Sequence, residues 1–353
     1  MGNSPRTVVA MSGGVDSSVA AHLLKQEGHE VIGLFMWRGK HTDAGGSRTC
    51  CGKEDSLDAR RVAHALEIHF EALDFETEFD ELIDYFCREY NAGRTPNPCI
   101  VCNRILKFGR LLEYADRVGA GCIATGHYAR IEHRDGRHLL LRGADRRKDQ
   151  SYVLFDLEQE QLGRAIFPNG ALTKKEIRNI ASELNLPVKD KPESQEICFV
   201  PDDDYGRFLR ERTPESIMPG PLKDMEGNVI GEHPGIQFFT IGQRRGVRIA
   251  FGEPMYVVRL EPETNIVVVG PNEALMKNEM TVSSVNWIVS APSRPIRVDA
   301  KIRYREEPRP AVVHPLPEGR ARVVFDQPER AITPGQAAVF YQGDVVVGGG
   351  WID

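Results

Sequence analysis

Thr7-Val8-Val9-Ala10-Met11-Ser12-Gly13-Gly14-Val15-Asp16-Ser17-Ser18 is the stretch whose reading decides the fold. Its first five residues are a short apolar run, and Ser12-Gly13-Gly14 ends it, as a buried strand ends in a loop. Behind the loop Asp16 can cap a helix in which Val19, Ala20, Leu23 and Leu24 recur at helical spacing until Gly28 stops it. Glu30-Val31-Ile32-Gly33-Leu34-Phe35 reads as the next strand. Strand, helix and strand in immediate succession make a βαβ unit, which implies a parallel sheet with right-handed crossovers.

The alternation continues outward to about residue 200, with helices fitting 55–67, 78–92, 104–118 and 173–185 and strands near 68–73 and 121–125. Beyond that point Gly and Pro become frequent and short β-rich runs replace helical periodicity. Phe238-Phe239-Thr240-Ile241, Tyr256–Leu260 and Ile266–Val269 come first; Arg297–Tyr304, Ala321–Phe325, Ala337–Tyr341 and Val345–Val347 follow. Strands at this spacing suggest a small barrel or sandwich. The expected class is α/β: a Rossmann-like N-terminal domain with a parallel sheet, a small β-rich central domain and a C-terminal β-barrel.

Forty-five basic against 51 acidic residues give a formal net charge of −6, which argues against a general nucleic-acid coat. Basic residues nevertheless gather around 142–148, 244–248 and 294–309, so a local polyanion-binding surface is expected. No run approaches the ~18 apolar residues of a membrane span. Nor does the N-terminus carry the pattern of a secretory leader, so a cytoplasmic setting without a membrane partner is expected. Seven Cys, an odd number, fit a reducing compartment rather than a disulfide framework.

Three constellations carry chemistry. Ser12–Ser18 offers glycines, hydroxyls and a helix N-terminus to an anion. The chain has neither GxxxxGK[ST] nor GxGxxG, so this is neither a Walker-type nor a dinucleotide loop. In Gly93-Arg94-Thr95-Pro96-Asn97-Pro98-Cys99-Ile100-Val101-Cys102-Asn103, two prolines stiffen a loop before a helix expected to begin near Asn103–Arg104. A helix N-terminus with Arg104 and Lys107 close by would favour a Cys102 thiolate. No second Cys pair completes a zinc site, so a redox or nucleophilic role is preferred. The third is Lys191-Pro192-Glu193-Ser194-Gln195-Glu196-Ile197-Cys198-Phe199, in which Cys198 on its own reads as a core thiol. Cys50, Cys51, Cys87 and Cys122 read as packing residues.

SGGVDSS resembles the pyrophosphate loop of ATP pyrophosphatases. Taken in order with GLFM, GRTPNPCIVCN, ATGHYAR, KDQSYVL, KPESQEICFV, FFTIGQRRG, KIRYRE and TPGQAAVFY, it resembles the tRNA-specific 2-thiouridylase family over essentially the whole chain. The resemblance implies an ATP-pyrophosphatase domain over 1–202, a central β-rich domain over 203–275 and a tRNA-contacting β-barrel over 276–353. It implies a tRNA-uridine 2-sulfurtransferase. Such an enzyme adenylates the C2 oxygen of the wobble uridine in tRNAs for Lys, Glu and Gln, then replaces it with persulfide sulfur.

Carried over by motif, Ala10, Met11, Ser12, Gly13, Gly14, Val15, Asp16 and Ser17 bind ATP phosphates, with Met36 and Gly126 completing the pocket. Asn97, Pro98 and Cys99 line the target base. His127, Lys148, Asp149, Gln150, Arg303, Tyr304 and Gln336 contact the tRNA anticodon stem-loop. Cys198 carries the persulfide, and Cys102 resolves it, leaving a Cys102–Cys198 disulfide. The partners implied are a sulfur-relay protein and a thiol reductant, with Mg²⁺ as the counter-ion of ATP. The family usually has an acidic residue where this chain has Cys99. Cys99, Cys102 and Cys198 together suggest an iron–sulfur cluster as an alternative, but the persulfide route is favoured because an acidic residue would be a poor ligand. Another ATP pyrophosphatase acting on a small molecule, or a non-catalytic RNA-binding protein, is disfavoured by the Cys102/Cys198 pair beside an intact SGGVDS loop.

Overall fold

Val8 and Val9, at the centre of β1 (Arg6–Ala10), are fully covered, so this strand is packed on both faces, as a parallel sheet between helices requires. A computed structural model of the chain describes residues 4–38, 52–193, 197–200, 202–246 and 254–353. Cys50, Cys51, Arg248 and Ser194-Gln195-Glu196 of the third motif lie outside the described residues. β1 pairs in parallel with β2 (Glu30–Trp37) on one side and β4 (Cys122–Ala124) on the other. β3 (His69–Asp74) lies beyond β2, and β7 (Ala165–Ile166) beyond β4, giving the order β3-β2-β1-β4-β7.

α1 (Val15–Gln26) buries Val19, Ala20 and Leu24 and stops as the sequence suggests. Gly28 sits at φ +86°; its N–H donates to Lys25 O at 3.1 Å and that of His29 to Leu24 O at 3.0 Å, a Schellman ending. Asp16, however, does not cap this helix. Gly14 is the N-cap without a side-chain bond, because the Asp16 carboxylate has stronger charged donors elsewhere. α2 (Lys53–Ala65), α3 (Glu76–Asn91) and α7 (Lys174–Glu183) lie close to the expected spans.

The helix expected from 104 begins earlier. α4 (Pro98–Val101), a π-helical turn sequence over Cys102–Arg110 and α5 (Leu111–Arg117) follow without a break. Asn97-Pro98 is the reason: Asn suits the cap position, and Pro at the first helical position loses no hydrogen bond there. Cys99 and Cys102 are therefore inside the helical run. The sequence reading also passes over a hairpin, β5 (Ala129–Arg134) and β6 (Arg137–Arg142). Asp135 (φ +52°) and Gly136 (φ +74°) turn it, as an Asp-Gly hairpin turn demands. α6 (Gln159–Gly163) precedes β7.

The chain divides into two compact units that do not follow chain order. Met1–Leu82, Cys99–Asp203 and Asp344–Val346 form the first, and Ile83–Pro98, Asp204–Gly343 and Val347–Asp353 the second. The second holds α8 (Tyr205–Arg212) and a small sheet in which β8 (Gly220–Lys223) and β9 (Val229–His233) join β10 (Tyr256–Glu261) and β11 (Ile266–Gly270) in the order β10-β11-β8-β9. Leu222, Ile236, Val257 and Val267 form its core.

A closed six-stranded antiparallel barrel follows: β12 (Met276–Trp287), β13 (Ile296–Lys301), β14 (Arg309–Leu316), β15 (Arg320–Arg330), β16 (Ala337–Gln342) and β17 (Val345–Ile352). The order β12-β15-β14-β13-β16-β17 closes through a β12–β17 pairing, over a core of Val282, Val313, Val323 and Phe340. Two expected strands are corrected here. Phe238-Phe239-Thr240-Ile241 is not a strand: tight turns take over, with Phe239 N–H on Ile236 O at 3.1 Å, Gln243 N–H on Thr240 O at 2.9 Å and Gly242 at φ +88°. Arg303 and Tyr304 lie past the end of β13, in the turn that leads to β14.

Arg94–Asn97 belongs to the second unit, strapped to the segment ahead of β16. Thr95 N–H donates to Pro334 O at 2.9 Å, and Gln336 Nε2 to Thr95 O at 3.0 Å and Pro96 O at 3.2 Å. Gly335 makes this approach possible at φ +86°, since a Cβ there would stand 2.8 Å from Arg94 Cβ and 2.9 Å from Thr95 N. Gly335→Ala is expected to cost about 2 kcal/mol or more through left-handed strain plus the clash, read as a lower denaturation midpoint. An unchanged midpoint would mean that the strap gives way without cost.

Candidate functional site

β1 has a parallel neighbour on each side, so the connections leaving it and leaving β4 diverge, and a crevice opens at the carboxyl ends of the strands. An open cleft sits there. Of the expected nucleotide residues, Ala10, Met11, Ser12, Asp16, Ser17, Met36 and Gly126 line it. Gly13, Gly14 and Val15 are not on its wall: a Cβ on Gly13 (φ +69°) would meet Asp55 O at 2.3 Å, Gly14 caps α1, and Val15 is buried. Lys107, Thr125, His127 and Gln150 complete the polar lining. Gly126 is needed for close approach, because a Cβ there would stand 2.7 Å from Ser17 N.

Hydroxyls stiffen the loop from within. Ser12 N–H donates to Ser17 Oγ at 3.1 Å, and Ser18 Oγ to Gly14 O at 2.7 Å. Asn169, fully buried, donates from Nδ2 to Asp16 O at 3.0 Å and Gly126 O at 3.1 Å, joining the β1 and β4 loops. The Asp16 carboxylate receives Lys174 Nζ at 2.6 and 2.8 Å and the Tyr128 hydroxyl at 2.6 Å. Burial, reinforced by the Asp16 charge, keeps the Tyr128 hydroxyl protonated and donating. Lys174 went unnoticed in the sequence, although a cation in the first turn of a helix opposes the dipole and signals a partner elsewhere.

The same lysine reaches Glu193 at 3.2 Å, and Lys148 reaches Glu193 at 2.5 Å. Burial opposes ionisation of Glu193, but these two ammoniums outweigh it and hold its carboxyl below the usual range. Lys191 Nζ donates to Gly13 O at 2.9 Å and to Asp55 and Asp58 at 2.7 Å each. Burial works against its charge, and the two carboxylates more than compensate.

Asn97 is half-buried, Pro98 buried and Cys99 exposed. Cys102 and Cys198 are half-buried thiols, both in the first unit. Behind Cys102, Asn103 donates to Val153 O at 2.8 Å, and Arg104 pairs with Asp156 at 3.4 Å. Burial pushes the Asp156 carboxyl up to about 6, against the pull of Arg104. Burial also raises Cys87, to about 11, and Cys122, in keeping with packing roles. Among the described residues no three His, Cys, Asp or Glu side chains converge as metal ligands, so Cys99, Cys102 and Cys198 do not fit a cluster site.

Most side chains expected on the RNA surface have internal partners. His127 is buried, shares a 2.6 Å hydrogen bond with Thr125 Oγ1 through Nδ1, and is held neutral by burial and by Lys107. Asp149 is buried and accepts from Gly143 N, Ser151 N and Ser151 Oγ at 3.0–3.1 Å. Gln150 Oε1 accepts from Tyr128 N at 3.0 Å. Arg303 pairs with Glu306 at 2.8 Å and donates to Ala331 O, whereas Tyr304 is exposed. Gln336 holds the Thr95-Pro96 backbone. Arg146, in the first basic cluster, is neutralised by Asp344.

Three family models match the chain in series: a tRNA methyl transferase HUP domain over residues 5–202, a tRNA methyl transferase PRC-barrel domain over 206–271 and an aminomethyltransferase beta-barrel domain over 277–352. The chain is 53% identical to the tRNA-specific 2-thiouridylase MnmA of Heliobacterium modesticaldum, over 98% of this chain and 91% of that protein. It is 51% identical to the tRNA-specific 2-thiouridylase MnmA of Geotalea uraniireducens, over 99% and 95%. Against that of Clostridium perfringens strain 13 it is 48% identical, over 99% and 98%. With relatives at this level matching from end to end, the chain belongs to the tRNA-specific 2-thiouridylase family.

Proposed function

We propose that this chain replaces the C2 oxygen of the wobble uridine of tRNAs for Lys, Glu and Gln by sulfur, using ATP. The observation that carries the reading is the cleft at the end of β1, lined by Ser12, Asp16, Ser17, Lys107 and Gly126, in a chain whose full-length relatives bear the 2-thiouridylase name. The HUP model's description speaks of methyl transfer. Methyl transfer would leave the Ser12–Ser18 loop and the Cys102/Cys198 pair without a task.

A pyrimidine C2 carbonyl has no leaving group. The uridine oxygen attacks the α-phosphorus of ATP, and pyrophosphate departs into the Ser12–Ser18 loop. There the first-turn N–H groups of α1 have no intrahelical acceptor and the helix dipole favours anions. Lys107 on the cleft wall adds positive charge, and Lys174 cancels the negative charge of Asp16. Mg²⁺ bound to ATP would offset the charge of the phosphates. Asp16 is the one carboxylate on the described wall, and both of its oxygens are already taken by Lys174.

Cys198 then presents a persulfide obtained from a sulfur-relay protein. Its terminal sulfur attacks C2, and AMP leaves with the oxygen. Cys102 attacks the Cys198 sulfur, and the cleaved S–S pair stays on the sulfur now bonded to C2. The Cys102–Cys198 disulfide that remains takes two electrons from a thiol reductant, as a reducing cytoplasm supplies. Asn97, Pro98 and Cys99 border the flipped uridine, while Lys148, Gln150, Arg303, Tyr304 and Gln336 are the members of the RNA-contact set that are not buried.

Mass spectrometry of wobble nucleosides after incubation with tRNA, ATP, Mg²⁺ and a persulfide donor tests the reading, and absence of 2-thiouridine would overturn it. Asp16→Ala should cut tRNA-dependent pyrophosphate release by roughly 10²–10³-fold, with filter-binding affinity for tRNA retained; release at the parental rate would remove Asp16 from the site. Cys102→Ser and Cys198→Ser should each still release pyrophosphate but form no thiouridine, whereas Cys99→Ser keeps most of the activity. A Cys99→Ser enzyme as inactive as Cys102→Ser would place a third thiol in the reaction.

A further inference from the structure

The segment ahead of Cys198 is fastened to the phosphate loop by two side chains of opposite charge. Lys191 places its three ammonium donors on three acceptors, Gly13 O, Asp55 and Asp58. Two residues later Glu193 takes Lys174 and Lys148, and Lys174 in turn holds both oxygens of Asp16. Gly13 and Asp16 bracket the turn of the loop, so the Lys191 and Glu193 anchors grip both of its ends. Pro192 stands between the two anchors; its fixed φ and the extended bias that it imposes on Lys191 limit the freedom between them.

We propose that Lys191 and Glu193 are positioning residues that tether Cys198 to the nucleotide loop, so that the sulfur donor is held where adenylation occurs. The proposal rests on the sulfur-transfer reading above. Glu193 and Cys198 are five positions apart, and five residues of chain reach about 17 Å at most. A fixed Glu193 therefore keeps the backbone of Cys198 within about 17 Å of an anchor that is itself bound to the loop through Lys174. Confinement of this kind raises the effective concentration of one reactant at the other. It matters here because an adenylated uridine left waiting is open to water, which attacks C2 or phosphorus and returns uridine and AMP. Every such event consumes ATP without forming thiouridine.

The measurable quantity is thiouridine formed per pyrophosphate released, with tRNA, ATP, Mg²⁺ and a persulfide donor. Glu193→Gln, which keeps shape and removes charge, should lower the ratio by about fivefold or more, over and above any change in pyrophosphate release itself. Lys191→Met should lower the ratio similarly, and Lys191→Arg, which keeps the charge, should restore it to within about twofold of the parent. Thermal midpoints of the variants identify any that misfold; Glu193→Gln and Lys191→Met are independent routes to the same readout. An unchanged ratio in folded variants, or pyrophosphate release falling in step with thiouridine, would overturn the tether. Failure of the parental enzyme to form thiouridine would instead overturn the sulfur-transfer reading itself.

Discussion

The Asp16–Lys174 ion pair is the contact on which the first unit's chemistry depends. On the reading that this loop takes polyphosphate, a carboxylate there would repel the ligand unless its charge were cancelled. Lys174 cancels that charge at 2.6 and 2.8 Å, and the Tyr128 hydroxyl takes a further lone pair. The lysine side chain is only 12% exposed, so losing Asp16 would leave a largely desolvated cation with Glu193 at 3.2 Å as its remaining charged partner among the described residues. Glu193 pairs with Lys174 and Lys148 in turn, which keeps the net charge of the cluster small.

Around that pair the backbone is fixed by neutral hydrogen bonds. Asn169 reaches the carbonyls of Asp16 and Gly126 from a fully buried position and so sets the width of the crevice between the β1 and β4 loops. Gly126 lets the two backbones approach, and Gly13 lets the loop lie against α2. Parallel pairing of β1 with strands on both sides puts the crevice at this end of the sheet, and side-chain chemistry then fills it.

The βαβ opening was legible because its signals are local: a β-branched run, a Gly break, helical spacing and Gly28 in the left-handed region. Seven of the ten nucleotide residues implied by resemblance do line the cleft. What could not be read were partners distant in sequence. Asp16 looks like a helix cap until Lys174, 158 positions away, is seen on its carboxylate. Gln336 looks like a surface contact until it is found holding Thr95 O, 241 positions away. Asp149 and His127 have buried partners that were hidden in the same way, since polarity alone does not distinguish a solvated side chain from one with internal partners. Two local signals went unused: Asn97-Pro98 as a helix start and Asp135-Gly136 as a hairpin turn.

On the sulfur-transfer reading, the two cysteines need opposite mechanical properties, and their surroundings differ accordingly. A resolving thiol has to meet its partner sulfur in line, which favours a rigid mount. Cys102 has one: it opens a π-helical segment, a local geometry often found at functional sites, and the next two residues are fixed by Asn103 on Val153 O and Arg104 on Asp156. A donor thiol has to receive sulfur from another protein and then deliver it, so it needs reach. Cys198 lies outside any helix or strand, five positions beyond the Glu193 anchor. A rigidly mounted acceptor and a donor anchored nearby lower the conformational entropy lost in bringing two sulfurs together.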